Sequence, residues 1–313
     1  MSSCVQNVRV ALLFIDGVGI GSRTSAHNPL TRGDFLVSRF DDGTGTALPE
    51  GGTWAAADTT FGIEGRPQSA SNQTAIYTGL PAPKLIGEHT LGYPDSRLIE
   101  LIDAHSIVKR IEAAGKRATF ANAYPAAVLE HMGVPRRPSK GPDLELPPEM
   151  KRRIRASAST LSMAAGKVAM RTFDDARAGA GLTHDIDGSL ARARGMDVPS
   201  RTPEEAAEIF WRLSLDFTLF EHYLADEAGH ARDMTAAIAA LTTFDSFARA
   251  VIAQRPSDAQ LFICSDHGNV EDLSTRSHTL RPVPVLAFGP HDASRIHDVA
   301  DVGLEVLRIV GAS

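Results

Sequence analysis

The sequence predicts an α/β sandwich with a mainly parallel central sheet and a small inserted cap, and three observations lead there. Short, nearly continuous apolar runs, such as VRVALLFI at 8–15, alternate with longer stretches of helical periodicity. That is the pattern of strands covered on both faces by helices. Acidic residues and histidines follow those runs, where the carboxyl edge of a parallel sheet would collect them. Between Tyr124 and about Thr202 the texture changes, with frequent Pro and Gly and basic clusters. The core is therefore assigned to residues 1–120 and 205–313, and the cap to 121–204.

Val8 to Ile15 reads as a central strand ending at Asp16-Gly17-Val18-Gly19. Residues 22–65, rich in Gly, Thr, Asp and Pro, read as a long irregular connection. Thr74 to Gly79 has helical character, closed by Pro81 and Pro83. Apolar residues at Leu98, Leu101, Ile102, Ile107, Val108 and Ile111 predict one helix over 97–114, stopped by Gly115, with a strand over 116–122. Thr202-Pro203-Glu204-Glu205 is a helix start: a capping hydroxyl, Pro at the first position and Glu at the third. That helix should reach about Leu213. A strand over 216–224 running out to Asp226, a helix over 235–253, strands over 261–265 and 284–288, and a closing helix over 299–309 complete the alternation. Gly17-x-Gly19-x-Gly21 has the glycine spacing of a dinucleotide loop but opens no helix, since Ser22 to Pro29 is loop-like.

Charge and cysteine content narrow the function. The 313 residues carry 32 Lys+Arg against 38 Asp+Glu, a net charge of −6, which argues against a nucleic-acid partner. It leaves room for a small phosphorylated substrate, which needs only a local pocket of cations. The two cysteines, Cys4 and Cys264, read as free thiols in a reducing compartment. The first residues lack a basic segment followed by an apolar one, and the run at 8–15 falls short of the roughly 20 residues a membrane helix needs. A cytoplasmic location with no membrane partner is expected, the oligomeric state being left open.

Three expected strands lead into Asp16, Asp226 and Asp266, with His230, His267 and His278 close by in sequence. Gathered in one crevice, three carboxylates would repel one another unless cations compensate them. Six N/O donors divide between two divalent ions with positions open for substrate oxygens, and this donor set suits Mn or Zn. The stretch Gln68-Ser69-Ala70-Ser71-Asn72-Gln73-Thr74 places hydroxyls just before a helix. Free N–H groups there favour an attacking alkoxide and an incoming phosphate, and either Ser69 or Ser71 could serve. The basic run from Lys151 to Arg155 is either a solvated helix face or the source of an arginine for the substrate phosphate.

Three segments resemble cofactor-independent phosphoglycerate mutases of the alkaline phosphatase superfamily. They are Asp266-His267-Gly268-Asn269-Val270-Glu271-Asp272 with Ser277-His278-Thr279 and Pro282-Val283-Pro284, Ile15-Asp16-Gly17-Val18-Gly19, and Asp226-Glu227-Ala228-Gly229-His230. The resemblance covers roughly residues 8–80 and 215–290 and implies an alkaline-phosphatase-like three-layer sandwich. It implies one metal held by Asp226, His230 and His278, and another held by Asp16, Asp266, His267 and the nucleophile. It singles out Ser69 as that nucleophile, nine residues before Thr78, with Ser71 second. It gives Asn72 the role of helping to bind the transferring phosphate. Sulfatases place Pro and Arg two and four positions after the nucleophile; Ser71 and Gln73 stand there, which excludes that activity.

The mutase motif Asn-Ser-Glu-Val-Gly-His has no counterpart, and the interval from Ser69 to Asp226 is too short for a large transferase domain. The expectation is therefore a two-metal phosphomonoesterase acting through a phosphoserine. A phosphomutase is the alternative, a phosphodiesterase comes third, and a non-catalytic metal-binding relative is the reading from a different class.

Overall fold

The structure is a computed structural model that describes residues 8–140 and 144–312. Cys4 lies outside the described residues. In chain order the first half contains β1 (Arg9–Ile15), β2 (Gly52–Ala57), α1 (Ser69–Thr78), α2 (Ala82–Ile86), α3 (Ser96–His105), α4 (Ile107–Ala113), β3 (Ala118–Phe120), β4 (Ala123–Tyr124) and α5 (Ala126–Met132). The second half contains α6 (Pro148–Lys151), α7 (Ala158–Ala165), β5 (Arg171–Thr172), α8 (Phe173–Arg177), α9 (Ser189–Ala193), α10 (Pro203–Leu213), β6 (Phe217–His222), α11 (Leu224–Ala231), α12 (Met234–Ala253), β7 (Ala259–Cys264), β8 (Val283–Phe288) and α13 (Ala300–Val310).

Six strands form the main sheet in the order β2-β8-β7-β1-β6-β3. β1 lies at its centre, parallel to both β6 and β7, and β3 extends the parallel run beyond β6. β8 alone is reversed, antiparallel to β7 on one side and to β2 on the other. The predicted α/β class and mainly parallel sheet are thus present. Alternation along β1 accounts for the layering: Val10, Leu12 and Phe14 join one hydrophobic core, whereas Ala11, Leu13 and Ile15 join the other. The first core is closed by Ile76 and Tyr77 of α1, Leu98 of α3, Met163 of α7 and Val302 and Val306 of α13. The second is closed by Phe210 of α10 and Phe244, Phe247 and Val251 of α12. Within 121–204, α7 packs against α1, α3 and α4, while Ala123, Phe173, Ala176 and Val198 form a small separate cluster.

Several elements differ from the sequence reading. β2 forms inside the stretch expected to be irregular, because its backbone pairs with β8, far away in sequence. The helix expected over 97–114 is two helices. Ser106 (φ −47°, ψ 129°) leaves the helical region, and its hydroxyl caps α4 by accepting from the Lys109 amide. The apolar spacing runs through this break because both helices face the same core, so periodicity alone does not reveal it. The strand before Asp226 ends at His222, and Asp226 sits in the first turn of α11.

The Thr202 start is as expected. Its hydroxyl accepts from the Glu205 amide at 3.2 Å, and the Glu205 carboxylate accepts from the Thr202 amide at 2.9 Å. Thr202→Ala should cost about 1 kcal/mol of stability. In a urea titration this should appear as a lower midpoint with an unchanged slope.

Candidate metal centre

The carboxyl edge of the sheet collects the predicted donors. Asp16 follows β1, and Asp266 and His267 follow β7, its hydrogen-bonded neighbour. Gly17, at φ 74°, lets the chain turn past α11, and a Cβ there would lie 2.6 Å from Asp226 Oδ1. Asp226 and His230 stand one turn apart on α11, which puts both on one face of the helix. His278 arrives on the loop before β8, and its neighbour Thr279 bridges to Gly268. Ser69 is the first residue of α1, with Gln68 as the N-cap, so the helix begins earlier than its periodicity suggests.

These side chains converge. Ser69 Oγ lies 2.8 Å from His267 Nε2, and that nitrogen is 3.4 Å from both Asp16 Oδ1 and Asp266 Oδ2. His230 Nε2 is 3.2 Å from Asp226 Oδ2, and His278 Nε2 is 3.8 Å from Asp226 Oδ1. The His267 and His278 rings stack with centroids 3.6 Å apart. Asp266 and His267 have no exposed side-chain surface, whereas the His230 side chain is 47% exposed. Two donor groups each have their ligand atoms within 4.8 Å of one another. The first, Asp226, His230 and His278, is the set implied by the resemblance. The second is Asp16, Asp226 and His267, so Asp226 is shared, while Asp266 stands behind with its oxygen on His267.

The donor chemistry fits cations. His278 Nδ1 is 2.8 Å from the Pro67 carbonyl, and His230 Nδ1 is 2.8 Å from the Arg276 carbonyl. A ring nitrogen facing a carbonyl carries the proton, which leaves lone pairs on both Nε2 atoms. Those two atoms are 3.1 Å apart, so a proton or a cation must lie between them. Without an ion, His230 takes that proton. Its hydrogen bond to the Asp226 carboxylate, opposed by burial, pushes it up to about 9. Burial and the nearby His267 pull His278 down to about 4. Despite burial, the His230 hydrogen bond and the charge of His267 hold Asp226 below the usual carboxylate range. Burial, then Asp266 and Asp226, push Asp16 well above it. Asp16 Oδ1 and His267 Nδ1 are buried without a hydrogen-bond partner. Replacing protons with divalent ions would relieve this crowding of acids.

Two residues behave differently from expectation. Ser71 is fully buried, and its hydroxyl donates to the Gln68 carbonyl at 3.3 Å, away from the donors; of the two serines, Ser69 alone meets them. Asn72 is buried as well, and its amide donates to the Thr59 and Asp266 carbonyls, each at 2.9 Å. Both N–H groups are thereby used, so Asn72 ties α1 to the end of β7, and the phosphate-binding role implied for it does not match this geometry. Asn72→Ala should cost about 2 kcal/mol by orphaning those carbonyls. Thermal unfolding checks this; a phosphate contact would instead leave stability intact and raise KM.

Sequence reasoning passed over the supporting polar residues. Gln73 Nε2 donates to Asp16 Oδ2 at 3.2 Å and to Asp266 Oδ2 at 3.0 Å, bridging two carboxylates. Asn269 Nδ2 donates to Asp226 Oδ1 at 2.6 Å. Glu271 is buried, accepts from the Gly19 and Asn269 amides at 3.0 and 2.8 Å, and is bonded by Thr279 Oγ1, locking three loops together. The only signal for them was adjacency: Asn269 and Glu271 fall within the quoted motif, and Gln73 lies four residues after Ser69.

A cavity of about 740 Å³ opens beside the cluster, and Asp16, Ser69, Gln73, Asp226, His230 and His278 all line it. Arg66, Arg155, Arg194 and Arg276 line it too. Of the basic run, Lys151, Arg152 and Arg153 are exposed, but α6 ends at Lys151, so the run is not a helix face; Arg155 lines the cavity.

Comparison with known proteins bears on family and fold. Residues 201–310 match the model of the Metalloenzyme superfamily. The chain is 32% identical over 108 residues to a 2,3-bisphosphoglycerate-independent phosphoglycerate mutase of Halobacterium salinarum, covering 30% of this chain and 21% of that protein. It is 39% identical over 90 residues to a phosphopentomutase of a Methylobacterium species, covering 27% of this chain and 22% of the other. The chain thus spans little more than a fifth of each of these curated relatives. Its fold is similar to that of the alkaline phosphatase of the Antarctic bacterium TAB5, with a TM-score of 0.52 at 14% identity over 97% of this chain and 98% of the other.

Proposed function

For a chain whose residues 201–310 match the Metalloenzyme superfamily and whose fold is similar to that of an alkaline phosphatase, we propose metal-dependent phosphoryl transfer through Ser69. The observation that carries this reading is the Ser69 hydroxyl at the start of α1, 2.8 Å from His267 within a cluster of carboxylates and imidazoles. Asp226, His230 and His278 would hold one divalent cation, and Asp16, His267 and the shared Asp226, with Asp266 behind them, would hold the other, manganese and zinc both suiting these donors. Bound there, the ions would supply a lowered hydroxyl pKa and neutralisation of phosphate charge. Ser69 Oγ forms the new bond to phosphorus while the bond to the alcohol oxygen breaks, which leaves a phosphoserine and the released alcohol. The free amides at the start of α1 would favour a phosphate bound there. Arg66, held by its bond to the His278 carbonyl at 2.6 Å, places positive charge on the same wall.

The fate of the phosphate separates two outcomes. The curated relatives are phosphomutases, and isomerisation is accordingly the favoured outcome: the phosphate returns to another hydroxyl of a retained small phosphorylated substrate. Hydrolysis, the outcome expected from the sequence, is the second reading. It is supported by the cavity mouth, where Leu91 and Tyr93 remain exposed, and by a segment over 121–204 that we read as a small cap. Product analysis with manganese present decides between them: an isomeric phosphate supports the mutase, and free phosphate the hydrolase. A cation-loaded protein that releases alcohol from no phosphate ester would overturn both and leave a binding protein.

A further inference from the structure

The cavity is larger and more apolar than the transferring phosphate requires. Its wall from the segment 123–196 carries Met132, Phe173, Leu190 and Met196, and none of them belongs to the metal cluster. Three rings line the same space as a row: Tyr124 and His184 meet edge to face at 4.7 Å, and His184 and Tyr223 lie 5.0 Å apart. Burial pulls His184 down to about 4, so at neutral pH it presents an uncharged ring. At the rim, Leu91 is 77% exposed and Tyr93 50% exposed, apolar groups left in solvent on the border of the site. A volume of about 740 Å³ is that of a pocket for a ligand of many atoms. A three-carbon or pentose phosphate would leave most of this apolar lining wet. The superfamily match, at residues 201–310, does not include the wall at 123–196.

We propose that the substrate is a phosphate monoester whose alcohol carries a flat, largely apolar ring system. The rings of Tyr124, His184 and Tyr223 receive its face, and Leu91 and Tyr93 cover it at the mouth. Aromatic rings bury large areas and prefer offset or edge-to-face partners, both of which this row offers. The proposal rests on the phosphoryl-transfer reading, though not on whether the phosphate is finally hydrolysed or returned.

The test compares two alkyl esters with similar leaving groups, 2-(1-naphthyl)ethyl phosphate and ethyl phosphate, on the manganese-loaded protein. Release of alcohol is followed with enzyme in excess, so that it reports phosphorylation of the protein whatever happens afterwards. Naphthylethyl phosphate should be favoured by about 30-fold or more in kcat/KM. In the Leu91→Ser/Tyr93→Ser double variant, whose exposed positions pose little risk to folding, that preference should fall by about tenfold. Binding of naphthylmethylphosphonate, which cannot be cleaved, is measured in parallel by its fluorescence. Equal use of the two esters would overturn the ring proposal and leave phosphoryl transfer standing. Phosphonate binding that the double variant weakens, with neither ester cleaved, would uphold the ring site and overturn phosphoryl transfer. Absence of both binding and cleavage would overturn both.

Discussion

Ser69→Ala should abolish alcohol release from phosphate esters, with a loss on the order of 10⁴-fold or more, because no other group takes over the role of nucleophile. The structure explains why this serine and not its neighbour should matter. Ser69 Oγ lies 2.8 Å from His267 Nε2 and lines the cavity, whereas the Ser71 hydroxyl is buried on the Gln68 carbonyl. Ser71→Ala should therefore retain turnover within about threefold, the cost of one long internal hydrogen bond being small. The paired variants also separate chemistry from structure, because Ser69→Ala deletes a single oxygen and its bond to His267, a loss of about 1 kcal/mol that should leave the chain folded. Turnover surviving in Ser69→Ala and lost in Ser71→Ala would reverse the assignment. An acid quench of the wild type during turnover should trap phosphate on Ser69, located by mass spectrometry.

Removal of divalent cations should abolish turnover as completely, and adding them back should stabilise the fold. An ion that binds only the native chain contributes about 2.7 kcal/mol at one hundred times its Kd. Calorimetry with manganese or zinc against a chelator measures that gain. Asp226 is the position at which to test its origin, because its carboxylate belongs to both donor groups. Asp226→Ala should lower cation affinity by more than about 100-fold, beyond what loss of a supporting partner costs, and with it most of the stabilisation and the turnover. Comparing the cation-dependent gain, instead of the bare stability, removes the separate effect of freeing His230 from its 3.2 Å contact. A gain of equal size in wild type and Asp226→Ala would place the ions elsewhere.

Much of the site was legible because Asp16, Asp266 and His267 follow apolar runs. β1 and β7 announce themselves by continuous burial, and in a parallel sheet their carboxyl ends share one edge, so Asp16, Asp266 and His267 could be brought together on paper. Asp226 and His230 were legible as a pair by their spacing of four, although the sequence suggested a strand end and the structure shows a helix. The helix of Ser69 was harder to read. α1 is buried nearly all round, so it has no polar face to mark its period and its first turn went unrecognised. β2 was missed for a related reason, since a strand at the edge of the sheet is held by its ladder to β8 and carries little pattern of its own.

By itself the sequence determined the α/β class and the central parallel strands, because burial and periodicity are written in adjacent residues. Only the tertiary structure decided that Ser69, not Ser71, meets His267, 198 positions away. It alone showed that Asp226 is shared between two donor groups and that the amide of Asn72 is spent on carbonyls. Those outcomes depend on which way a side chain faces when distant segments pack, and that direction is set by the neighbours it finds there, not by the residues beside it in the chain.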